Sequence, residues 1–224
     1  NYHDSFTVPL VQLADALAYS HSKEICHSDL KPSNILITPG GRPMLLDFNL
    51  AFDPGAVDRR LGGTLPYMAP EQLRAVDDPS ALEQSPMDER SDIFSLGVIL
   101  HEMLSGVLPF GPLPTGGSNK ETKAHLLERQ ESGPLLLREG NNGVDPVLSG
   151  LVEGCLAFDP EDRPESAQAV AAALRRCISP AHRALRWARG HRWLMRSMTT
   201  SVLVLILGIA GHLATRGSLA DRQF

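Results

Sequence analysis

The feature that most constrains this chain is the polar stretch His27-Ser28-Asp29-Leu30-Lys31-Pro32-Ser33-Asn34, set between a helical pattern and the aliphatic triplet Ile35-Leu36-Ile37. An acid, a lysine two residues later and an amide five residues later share one loop. They bring together a proton acceptor, a cation and an amide oxygen able to hold a metal. Phosphoryl transfer needs such a set: a hydroxyl to orient, phosphate charge to balance and a divalent cation to hold by oxygen ligands.

The flanking sequence places that loop. Upstream, Leu10, Leu13, Ala14 and Leu17 recur at helical spacing from Pro9 to about His21. Downstream, Ile35-Leu36-Ile37 and Pro43-Met44-Leu45-Leu46, separated by Thr38-Pro39-Gly40-Gly41, form a small hairpin. Residues 52–63 and 77–88 read as loops. From Ser91 to Gly106, Ile93, Phe94, Leu96, Ile99, Leu100, Met103 and Leu104 surround a helix that should be buried in a core. Three more helices are expected over 120–131, 145–157 and 165–176. The architecture is mostly α, α+β overall.

Charge divides the chain in two. The net charge of −5 excludes a nucleic-acid binder that relies on whole-molecule positive charge, yet it is an average. Residues 175–224 hold nine Arg and one Asp, leaving 12 basic against 25 acidic residues in 1–174. Cys26, Cys155 and Cys177 lack metal-ligand or redox-pair spacing and read as incidental thiols in a reducing compartment.

Asp47-Phe48-Asn49 follows the hairpin, and Gly63-Thr64-Leu65-Pro66-Tyr67-Met68-Ala69-Pro70-Glu71 comes after it. With the loop at Asp29, these motifs occur in the order and at the intervals of a eukaryotic-type protein kinase, and residues 1–174 resemble its C-terminal lobe, as in bacterial Ser/Thr kinases. The resemblance implies Asp29 as the base toward the substrate hydroxyl and Lys31 as the cation toward the γ-phosphate of ATP. It implies Asn34 and Asp47 as Mg²⁺ ligands, and Thr64 as the hydroxyl bonded to Asp29 and Lys31. Protein Ser or Thr is then the substrate. Glu71 and Arg163 resemble the family's buried ion pair, and Asp92 the helix aspartate that anchors the catalytic loop.

The pattern also departs from the family. Ser28 stands where an arginine usually receives an activation-loop phosphate, and residues 47–63 contain no Ser, Thr or Tyr to carry one. Loop phosphorylation is therefore not expected to switch this protein. Asn49 replaces the usual glycine, tolerating positive φ with less freedom. Residues 1–26 contain no glycine, hence no Gly-rich loop over ATP phosphates, and the chain starts at Asn1. The expectation is an excerpt whose N-lobe is absent, inactive or weak alone. A non-catalytic, pseudokinase-like binding module at a membrane is the alternative.

Beyond 174 the chain reads as a basic juxtamembrane segment (175–197) with Trp187 and Trp193, then a transmembrane helix (198–214) and a short tail (215–224). Residues 198–214 contain no Asp, Glu, Lys or Arg. The arginines before the span put the kinase-like lobe on the cytoplasmic side of the plasma or inner membrane. An apolar helix docked on the lobe or lying in the interface is the other reading.

Overall fold

Apolar residues recurring at three- and four-residue spacing make most of the described residues helical. The computed structural model describes residues 2–48, 64–77, 88–114, 116, 118–137 and 144–179. In order these form α1 (Tyr2–His21), a 3₁₀ turn (Pro32–Asn34), β1 (Ile35–Ile37), β2 (Pro43–Leu45), a second 3₁₀ turn (Leu65–Tyr67) and α2 (Pro70–Asp77). There follow α3 (Glu89–Ser105), α4 (Asn119–Ser132), α5 (Pro146–Cys155), a third 3₁₀ turn (Pro160–Asp162) and α6 (Ala167–Ile178). β1 and β2 are antiparallel, with Ile35 opposite Leu45, Leu36 opposite Met44 and Ile37 opposite Pro43.

α3 is the core. A helix apolar on every side gains most by burying every side, and Ile93, Phe94, Leu96, Val98, Ile99 and Leu100 are all at most 2% exposed. Its start is capped by Asp88, whose side chain accepts from the Arg90 N–H. Its end is closed by Gly106 in the left-handed region (φ 78°), with an amide that bonds back to Glu102 O. Midway, Gly97 lets α5 approach: a Cβ there would lie 2.7 Å from Cys155 Cβ. α4 begins with a reciprocal Ser118–Glu121 capping box, and α5 with Asp145 accepting from the Val147 N–H.

α1 packs against α6 and against β2, so the hairpin and the loop before it are seated on the helical core. Three elements differ from the sequence expectation. α1 starts at Tyr2 rather than Pro9, so Pro9 lies inside the helix, where its missing N–H removes one helical bond and its ring crowds the carbonyl four residues earlier. α2 is an unanticipated helix, amphipathic but only eight residues long. α6 runs through Arg175 and Arg176 to Ile178, beyond the point where the charge changes sign.

The chain divides into two units, Asn1–Ile178 and Ser179–Phe224. Residues 52–63, 78–87 and 180–224 lie outside the described residues, and with them the expected span at 198–214, the tail 215–224 and nearly all of the basic approach. Among the described residues no helix is long and apolar enough to cross a membrane.

Candidate active site

The polar loop is held from below by one carboxylate. Asp92, in the first turn of α3 and 1% exposed, accepts the His27 N–H on Oδ2 at 2.7 Å and the Ser28 N–H on Oδ1 at 2.8 Å. The His21 ring also meets Asp92 Oδ2, through Nε2 at 2.9 Å, with Nδ1 3.2 Å from Glu89 Oε2. Ser28 has a φ of +65°, a region that L-residues adopt only at a cost. The charge-assisted bond to its N–H offsets that cost.

On the upper side the loop meets the hairpin. The fully buried His27 bonds through Nε2 to Leu46 O at 2.9 Å, and its ring lies 4.7 Å from the Phe48 ring. The Leu46 N–H in turn donates to Asn34 O at 2.8 Å. Residues 27, 34, 46 and 48 therefore form one assembly at the edge of the sheet.

Asp29, Lys31 and Thr64 meet in space across 35 residues of sequence. Lys31 Nζ donates to Asp29 Oδ2 at 2.6 Å and to Thr64 Oγ1 at 2.9 Å. Asp29 Oδ1 accepts the Thr64 N–H at 3.0 Å and lies 3.4 Å from its hydroxyl. The Lys31 side chain keeps 22% of its surface, while Asp29 beside it is buried at 9%. Chemically it is a carboxylate oriented by a lysine, a hydroxyl and a backbone N–H, able to accept a proton beside a cation.

Asn34 is buried, and its Nδ2 donates to Asp29 O at 2.9 Å. That bond fixes the amide's orientation and leaves Oδ1 for another partner. Asp47, exposed and with a φ of +61°, directly follows the Leu46 that is tied to Asn34. An amide oxygen and a carboxylate are hard oxygen donors, a set that suits Mg²⁺.

The comparisons with known proteins decide the family. The protein kinase domain model matches residues 4–174. The chain belongs to the protein kinase family. This kinase domain is 35% identical over 176 residues to serine/threonine-protein kinase pkn3 of Myxococcus xanthus, covering 73% of this chain and 29% of the relative. It is 38% identical over 187 residues to pkn2 of the same organism, covering 79% and 20%. It is 36% identical over 171 residues to PkaA of Streptomyces coelicolor, covering 73% and 28%. The chain thus spans less than a third of the length of these curated relatives. It is a Ser/Thr protein kinase domain by homology.

Below the site the kinase domain carries a saturated ion pair. Arg163 Nη1 and Nη2 donate to the two Glu71 oxygens at 2.8 and 2.9 Å, with both side chains at most 1% exposed. The remaining guanidinium donors reach Ala157 O, Arg90 O and Phe158 O, so all five are used. Ser91 Oγ donates to Glu71 Oε1 at 2.7 Å, and the guanidinium sits 5.0 Å from the Phe94 ring centroid.

Sequence reasoning missed several residues of the kinase domain. Gln72 donates to Ser28 O and accepts from the Ala69 N–H, each at 2.9 Å, and Gln130 donates to Met68 O at 2.9 Å. Tyr67 donates to Glu102 Oε2 at 2.8 Å; burial first, then that bond, pushes its phenol well above the usual range. A glutamine at the third position of α2 is a helix-start signal, but the usual Ser or Thr cap three residues before it is Ala69, so half the signal is missing. Cys26 is pushed up to about 12 by burial and then by Asp92, Asp88 and Glu89, and Cys155 to about 12 by burial. Both are therefore protonated thiols at neutral pH and poor nucleophiles.

Proposed function

We propose that the complete protein transfers the γ-phosphoryl group of ATP to Ser or Thr hydroxyls of proteins, with Asp29 as the base that takes the hydroxyl proton. The observation that carries this reading is the convergence of Asp29, Lys31 and Thr64. One oxygen of the acid is held by the lysine and the other by the threonine N–H, so the carboxylate is oriented before a substrate arrives. Asp29 accepts the proton as the hydroxyl oxygen attacks. Lys31 balances charge on the transferred phosphate, and Thr64 keeps the lysine and acid in register. Asn34 and Asp47 hold Mg²⁺, which when bound neutralises the phosphate oxygens.

The test uses the complete protein with Mg-ATP and a mixed Ser/Thr peptide library. Asp29→Asn should lower the transfer rate by roughly 10²- to 10⁴-fold. An unchanged rate would remove Asp29 from the role of base. Ser28 and Asn49, both departures from the family's pattern, favour a second reading, a non-catalytic scaffold that binds partners at a membrane; no transfer by the intact wild type would support it.

Residues 175–197, 198–214 and 215–224 fit a basic juxtamembrane segment, a single span and a short external tail, with the kinase domain cytoplasmic. The support is the uncharged run at 198–214 and the arginines ahead of it. On this reading membrane fractions retain the protein after a high-salt wash, and deletion of 198–214 releases it.

A further inference from the structure

We infer that Gln72 is a positioning residue for Asp29, tying the catalytic loop to the segment that begins at Thr64; this rests on the kinase reading above. Gln72 is 3% exposed, and its two amide ends have different jobs. Oε1 accepts the Ala69 N–H at 2.9 Å, capping the start of α2 from the third helical position. Nε2 leaves the helix and donates to Ser28 O at 2.9 Å, in a buried contact.

Ser28 O belongs to the peptide that leads into Asp29, so its orientation sets the direction from which the acid leaves the backbone. Ser28 is in the left-handed region (φ 65°), and Asp92 Oδ1 already holds its N–H at 2.8 Å. Gln72 grips the carbonyl end of the same residue. A backbone turn that would otherwise relax is fixed on both sides, and Asp29 with it. Thr64 to Ala69 runs from the Asp29 contact to the cap of α2, so one amide closes the circuit between acid and segment. The tie needs no phosphate, which agrees with the lack of Ser, Thr and Tyr in residues 47–63.

The capping job alone does not require glutamine. Glutamate caps a helix start from this position equally well, since the cap needs only an acceptor. The bond to Ser28 O needs a donor, which glutamate supplies only when protonated. Gln72→Glu therefore keeps the cap and turns the second contact from attraction to repulsion above the carboxyl's pKa. The charged groups around the contact are Asp92 from α3, Asp29 with Lys31 from the loop, and Glu71 with Arg163 beside it. Each of these charges already has a partner.

The experiment measures transfer from Mg-ATP to a mixed Ser/Thr peptide library by the complete protein, between pH 6 and 8. Gln72→Glu should lose roughly 10- to 100-fold in kcat where the introduced carboxyl is ionised, with KM for ATP within about twofold. Gln72→Met, of similar length without hydrogen bonds, should lose kcat by a similar factor at every pH. Wild-type kcat in Gln72→Met overturns the tie, whether or not Gln72→Glu folds. An inactive wild type instead overturns the kinase reading itself, and this inference with it.

Discussion

Two acid–base pairs of this domain contain the same kinds of charge and live under opposite conditions. Asp29 and Lys31 are 2.6 Å apart, the acid buried and the lysine partly exposed, and Lys31 is shared with Thr64. Glu71 and Arg163 lie in the interior, joined by two bonds, with every guanidinium donor used and a serine on the acid. A buried pair offsets its desolvation only when all its hydrogen-bonding capacity is met, and then it resists change. A half-open pair gains little stability and can exchange partners. The first arrangement suits a group that must accept a proton and face a phosphate. The second suits one that must hold α2 to the third 3₁₀ turn and to α3 without moving.

The largest test of that contrast is to strand the buried acid. Arg163→Met should destabilise the domain by about 3–5 kcal/mol in urea unfolding, because Glu71 is left buried with no cation. A loss under about 1 kcal/mol would mean that the pair is as expendable as a surface one. On the open pair, Thr64→Ala should cost less than about 1 kcal/mol of stability while slowing transfer roughly tenfold, since Lys31 loses one of two anchors. Equal effects of Thr64→Ala on stability and on rate would blur the distinction.

The smallest effect concerns thiols near the two pairs. Cys26 and Cys155 bind their protons more tightly folded than unfolded, with pKa values near 12 against an ordinary 9.0. Their contribution to stability is therefore complete below about pH 9 and is lost as pH rises toward 12. Neither should react measurably with iodoacetamide in the folded protein at pH 8. Rapid alkylation of Cys26 there would show that the Asp92 region opens far more readily than a fixed anchor should.

What the sequence disclosed follows from how local each signal is. α3 could be read because its apolar residues cover all faces, and the hairpin because two aliphatic runs flank a Gly-Gly turn. The meeting of Asp29, Lys31 and Thr64 could be expected because the first two are sequence neighbours and Thr64 stands in an ordered motif. Gln72, Gln130 and the Tyr67–Glu102 bond were not, since each owes its meaning to a partner 35 to 62 residues away. α2 stayed hidden because an amphipathic pattern of only eight residues, three of them charged, spans little more than two turns. Pro9 suggested a helix start and concealed a helix that begins at Tyr2.

The most direct test measures both properties on one variant of the complete protein. For Asp29→Asn, transfer from Mg-ATP to a Ser/Thr peptide library and the urea unfolding free energy are determined together. The expected result is a rate lower by roughly 10²- to 10⁴-fold with a loss of stability well below that of Arg163→Met. A variant that keeps its rate, or that is destabilised as much as Arg163→Met, would contradict it.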